Sequence, residues 1–175
     1  MKSWEFHPIF VHFPIAFLLA GVVLEFVALR RPKQNLTPVA AGLLVAGTIS
    51  GWLAVLSGLA AFFTVPAHTD EAHGLMYWHL GLGVACLLLF TKISIRRWNH
   101  RKVRPNRADG IVSIMAAALL VVTGDLGGGL VYHGGAGVAP ELLAPEIRGG
   151  HSHASGSAEP AADHGSQTDN GHAHD

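Results

Sequence analysis

The sequence predicts an all-α integral membrane protein, a four-helix bundle with both termini on the outer side and a disordered C-terminal tail. Three observations predict it. Four long apolar runs are separated by short polar links, and each run is long enough to cross a hydrocarbon core of about 30 Å at about 1.5 Å per residue. Only 14% of the 175 residues are charged, against about a quarter in a soluble domain. Ten of the twelve Lys and Arg residues lie in or beside the links after the first and third runs. By the positive-inside rule those links face the cytoplasm and both ends of the chain lie outside. Residues 1–138 then form the membrane domain and residues 139–175 the tail.

Span one covers about residues 7–29. It is longer than a signal-peptide core and ends on Glu25, Arg30 and Arg31, so it is expected to be retained. Pro8 suits a first helical turn, and Pro14 frees the carbonyl of Phe10. Glu25 sits near the other end, where it can reach headgroup water or a basic partner, and a snorkelling interfacial acid is the expectation. Span two covers about residues 36–63 and is rich in small residues. Gly47-x-x-x-Gly51 and Ala54-x-x-x-Gly58 have the four-residue spacing that lets helix backbones approach closely. Span three, about residues 72–93, opens with His73, Tyr77, Trp78 and His79. A basic stretch follows, from Arg96 to Arg107. Span four, about residues 110–132, carries Asp125 and Gly127-Gly128-Gly129 and ends on Tyr132-His133. Beyond it, Gly, Ser, Ala, Asp and five histidines (His151, His153, His164, His172 and His174) cannot bury enough apolar surface to fold alone.

Cys86 is the only cysteine, which excludes an internal disulfide, a thiolate zinc site and a Cys-x-x-Cys-His haem attachment. The formal net charge is zero, and nothing points to nucleic acid. No hydrolytic triad or phosphate loop is visible, so no enzymatic activity is expected of the chain on its own.

The chemistry lies in the histidines. With the topology above, His7, His12, His68, His73, His79 and His133 all collect at the outer side. His12 lies about 7.5 Å of helix rise inside His7, and His79 about 9 Å past His73. His12 and His79 therefore reach similar depths and form the first candidate pair for a cofactor in the bundle core. His73 and His133 form a second pair nearer the surface. Asp125 lies roughly 12 Å inside His133, where a carboxylate needs a partner, a cavity or a proton, so it joins the cofactor candidates. Imidazoles from different helices with apolar walls suit a b-type haem and electron transfer. They also suit copper or zinc, with His7, His12, His73, His79 and His133 as ligands and the tail histidines as weak gatherers of metal. Proton handling through His and Asp125, or a purely structural membrane subunit, completes the set.

The opening His7-Pro8-Ile9-Phe10-Val11-His12-Phe13-Pro14-Ile15-Ala16 resembles that of a bacterial family of membrane proteins catalogued as domain of unknown function 2231. His79-Leu80-Gly81 and Gly124-Asp125-Leu126-Gly127-Gly128-Gly129-Leu130-Val131-Tyr132 support the resemblance, which spans about residues 5–138. It implies a multi-pass protein of the bacterial inner membrane. Fusion of such domains to cytochrome c-type domains in other proteins implies respiratory or cytochrome c-type redox partners beside the lipid bilayer, and leaves a homo-oligomer open. Family members often carry Gly-His-x-Gly-Gly where this chain has Gly124-Asp125-Leu126-Gly127-Gly128. That departure removes a candidate ligand from span four and shifts weight to His12, His79 and His133.

Overall fold

The computed structural model describes residues 6–31, 35–65 and 70–138. The tail with its five histidines, the expected disorder there, and His68 lie outside the described residues. Four helices follow in chain order: α1 Phe6–Arg30, α2 Thr37–Thr64, α3 Asp70–Asn99 and α4 Arg107–Tyr132. All four are long and apolar enough to cross a membrane. Their outward faces carry large apolar side chains such as Phe13, Val23, Ile49, Leu56, Leu88, Met115 and Val121, which suits a surface solvated by lipid rather than water.

The helices begin and end for local reasons. Pro8 sits in the first turn of α1, where a missing N–H leaves no bond unmade. The helix continues through Pro14, which is buried. Pro38 likewise sits in the first turn of α2. α4 opens on a capping box: Asp109 N–H donates to Asn106 Oδ1 at 2.8 Å, and Asn106 N–H donates to Asp109 Oδ2 at 3.0 Å. α3 runs on past Ile93 to Asn99 because its last two turns are amphipathic and bury Ser94 and Arg97 inside the bundle.

Successive helices run antiparallel and close a ring in which α1 packs on α2 and α4, and α3 packs on α2 and α4. The starts of α1 and α3 share one end of the bundle with the ends of α2 and α4. This end carries His7, His12, His73, His79 and His133, and the opposite end carries the arginines. α1 and α2 meet most closely. A Cβ on Gly47 would stand 2.7 Å from Leu18, and one on Gly21 would stand 2.9 Å from Leu44. The small residues of α2 thus let backbones approach, as their spacing implied.

Leu18, Val22, Leu44, Cys86, Phe90, Ile93 and Ala116 fill the middle of the ring. A smaller cluster of Ala72, Met76 and Leu130 closes part of the histidine end. At the arginine end the bundle buries charge. Glu25, expected as an interfacial acid, takes its alternative, a basic partner: it is 1% exposed, and Arg97 is 4% exposed. Arg97 Nε stands 2.9 Å from Glu25 Oε1, and Ser113 Oγ donates to Oε2 at 2.6 Å. Arg97 approaches Oε1 as a charge contact, off the line of a hydrogen bond. Asp109 extends the set to Arg96 at 2.8 Å and Arg97 at 3.8 Å. The physical reason is that a span-one acid one turn from the helix end reaches inward to a cation as easily as outward to water. The long α3 puts Arg97 at that height.

Candidate functional site

Between the central core and the histidine end lies a cavity of about 440 Å³ lined by all four helices. Its walls are almost entirely apolar. Pro14, Leu18, Leu87 and Phe90 form its deep end, and the polar groups that reach it are few. A concave, apolar space with a small number of placed polar groups is what a small-molecule or cofactor site looks like.

Two of those polar groups are His7 and His79. Their ring centres are 6.3 Å apart and their planes nearly perpendicular, at 81°. His7 Nδ1 stands 2.9 Å from the carbonyl oxygen of Ala54 and 3.3 Å from Ser57 Oγ. His79 Nδ1 stands 3.0 Å from the carbonyl oxygen of Thr123. A carbonyl oxygen can only accept, so each Nδ1 carries a proton, and in the neutral ring each Nε2 keeps its lone pair. Neither Nε2 has a hydrogen-bond partner among the described residues. Metal-ligating histidines are oriented in the same way, with the second ring N–H given to a carbonyl or carboxylate.

The two histidines are seated by one local device used twice. A helix carbonyl is already bonded to the N–H four residues on, and the Cβ of that later residue leans back over it. Where that residue is glycine, the carbonyl lies open to a second donor. Ala54 is followed four residues later by Gly58, and Thr123 by Gly127. A Cβ on Gly58 would stand 2.8 Å from the His7 ring, and one on Gly127 would stand 2.9 Å from the His79 ring. Each helical hairpin therefore supplies one imidazole from its first helix and one open carbonyl from its second. The spacing Ala54-x-x-x-Gly58 is visible in the sequence as a close-packing signal. Its role as a seat for a particular ring is not.

The other candidates lie elsewhere. His12 is exposed, lines the same cavity, and donates Nδ1–H to the carbonyl of Pro8 at 2.6 Å. The ring that meets His79 is thus that of His7 rather than that of His12. His73 is exposed and packs against Tyr77, ring centres 5.3 Å apart, and Phe62 at 6.5 Å. His133 caps α4 through its backbone N–H to the carbonyl of Gly129 at 2.9 Å, and its side chain is exposed. Asp125 is exposed on α4 and does not line the cavity. Among the described residues no three His, Cys, Asp or Glu side chains gather as a metal site.

Chemically, the arrangement offers two imidazole Nε2 atoms on opposite helical hairpins. Two imidazoles on opposite sides of one transition-metal ion, at metal–nitrogen distances of about 2.0–2.1 Å, hold their ring centres about 6 Å apart. The 6.3 Å between the His7 and His79 ring centres is of that size. Gly51, Gly58, Gly83, Gly124, Gly127 and Gly128 also line the cavity. A Cβ on Gly124 or Gly128 would meet nothing within 4 Å, so the wall leaves room for a broad, flat group.

No curated protein and no solved structure matches the chain. A family model described as "Predicted membrane protein (DUF2231)" matches residues 4–140. That match takes in the whole four-helix bundle and both of its histidine seats, and the chain belongs to this family of multi-pass membrane proteins.

Proposed function

We propose that the bundle is a membrane redox component that holds one b-type haem between His7 and His79 and passes electrons near the outer face of a bacterial inner membrane. One observation carries the reading. Two imidazoles from different hairpins, each with Nδ1–H tied to a helix carbonyl and Nε2 without a protein partner, stand 6.3 Å apart at an apolar cavity. A bare zinc or copper(II) ion on the same two nitrogens needs further donors, and the described residues gather no third one there. A porphyrin supplies four nitrogens of its own, so two axial histidines complete its iron. The charge map favours an outer location for this end, where a cytochrome c-type carrier is the natural exchange partner.

The test is optical. The full-length protein, purified in mild detergent from cells supplied with a haem precursor, is expected to show a Soret band and sharp bands on reduction with dithionite. His7→Ala and His79→Ala are each expected to abolish or shift these bands, while His12→Ala retains them. A colourless protein carrying stoichiometric copper or zinc by elemental analysis overturns haem in favour of a metal-handling role. A colourless and metal-free protein overturns both.

A further inference from the structure

The cavity has a side opening with an imidazole standing in it. Its lining residues on α2 and α3 are all buried or half-buried. The exposed ones are Pro8 and His12 on α1, Gly124, Val131 and Tyr132 on α4, and Gly137 just after α4. The exposed lining thus lies on α1, on α4 and just after it, and these two helices are the least closely packed neighbours in the ring, so the cavity opens between them. Pro8 and Tyr132 belong to the end of the bundle. His12 lies one turn below Pro8, and Gly124 lies about 12 Å of helix rise below Tyr132, so the opening is a slit down the side. The polar contacts between α1, α4 and the segment leading into α4 lie at the far end, where Ser113 meets Glu25 and Arg104 meets the carbonyls of Ala28 and Leu29.

In a bilayer this slit faces lipid. His12 spends its Nδ1–H on the carbonyl of Pro8, and its Nε2 has no hydrogen-bond partner among the described residues. A lone-pair nitrogen at that depth is costly unless it accepts a hydrogen bond, and hydrocarbon tails offer no donor. Gly124 and Gly128 on α4 line the same cavity, and a Cβ on either would meet nothing within 4 Å. We infer that the slit between α1 and α4 binds a lipid-soluble hydroquinone, with its ring between His12 and the α4 glycines and one hydroxyl donating to Nε2 of His12.

The redox meaning of the site rests on the haem reading above. A haem held by His7 and His79 would supply a one-electron acceptor beside the ring. The hydroquinone would lose one electron, its O–H bond to His12 would break, and that proton would pass to Nε2 of His12. The second electron and the proton of the other hydroxyl would leave in the same way once a cytochrome c-type carrier had taken the first electron, His12 had released its proton and the ring had turned its remaining hydroxyl to His12.

Photolabelling tests the site without relying on turnover. The full-length protein in lipid nanodiscs is irradiated with a naphthohydroquinone bearing a diazirine on its tail, kept reduced. Label is expected on the peptides around residues 8–15 and 124–132. His12→Ala is expected to lower it roughly tenfold, the worth of about one hydrogen bond. Gly128→Leu, which fills the slit, is expected to do the same. The dimethyl ether of the same ring, which has no O–H, is expected to compete poorly. Label spread evenly over the four helices, label unchanged in His12→Ala, or equal competition by the ether overturns the proposal. Labelling at His12 without a Soret band supports the binding site and overturns the haem reading. A Soret band without labelling overturns the binding site and leaves the haem reading standing.

Discussion

His7 and His79 owe their positions to the absence of two methyl groups. Gly58 and Gly127 leave a helix carbonyl uncovered, and an imidazole N–H takes it. Gly58→Ala or Gly127→Ala puts a Cβ under 3 Å from a ring that can swing away. The expected result is loss of most of the absorbance of the proposed haem, with a stability loss of only about 1 kcal/mol, the net worth of one hydrogen bond. Gly47→Ala should do the reverse. Its Cβ would meet Leu18 at 2.7 Å and that residue's backbone nitrogen at 3.0 Å, and a backbone cannot swing away. About 1–3 kcal/mol of overpacking cost is expected there, with the spectrum retained. Thermal melts and absorbance on the three variants separate the two effects, and equal behaviour of Gly47 and Gly58 would contradict the assignment.

At the scale of elements, the arginine end holds the hairpins together. Glu25 on α1, Arg97 on α3, and Asp109 and Ser113 on α4 form a set in which the Glu25–Arg97 pair is removed from solvent. Arg104 crosses to the end of α1, where Nε and Nη2 donate to the carbonyls of Ala28 and Leu29 at 3.1 and 2.6 Å, two of the acceptors that a helix end leaves unfilled. Ser94 Oγ donates to the carbonyl of Leu44 at 2.9 Å and Thr48 Oγ1 stands 2.8 Å from Ser94 Oγ, tying α2 to α3. A buried pair is costly to break from one side and cheap to replace whole. Arg97→Met is therefore expected to lose about 3–5 kcal/mol, and Glu25→Met with Arg97→Met to recover most of it. A double-mutant cycle from melts in detergent measures this. Additive losses would show that the pair does not act as a unit. Neither span one nor the basic stretch alone reveals this partnership, because it joins residues 72 positions apart.

At the scale of the whole molecule, function depends on which way the bundle lies. With ten of twelve Lys and Arg residues near the two links on one side, the positive-inside rule predicts that the histidine end lies outside. A phosphatase reporter fused after Asp175 is therefore expected to be active only when exported, and a fluorescent reporter there only weakly fluorescent. The opposite pattern would place the histidine site in the cytoplasm and exclude an outer redox partner.

The four spans, their antiparallel order and the gathering of histidines toward one end were legible in the sequence. They depend on hydropathy, on helix length against bilayer thickness and on charge count, and each of these is local or additive. Two things were decided only by tertiary structure. The first is pairing: depth along a helix is readable from residue number, but the direction a ring faces is not. His12 and His79 match in depth, yet His12 turns to its own helix and to the slit, while His7 reaches across to α2 and meets His79. The second is burial: Glu25 could face water or protein from the same position, and only the height of Arg97 on an extended α3 settles it. Both follow from rotation about the helix axis, which is set by the packing of one helix on the next. The opening motif His7-Pro8-Ile9-Phe10-Val11-His12 therefore carries two imidazoles on different faces of one helix, one turned inward to the cavity and one at its edge.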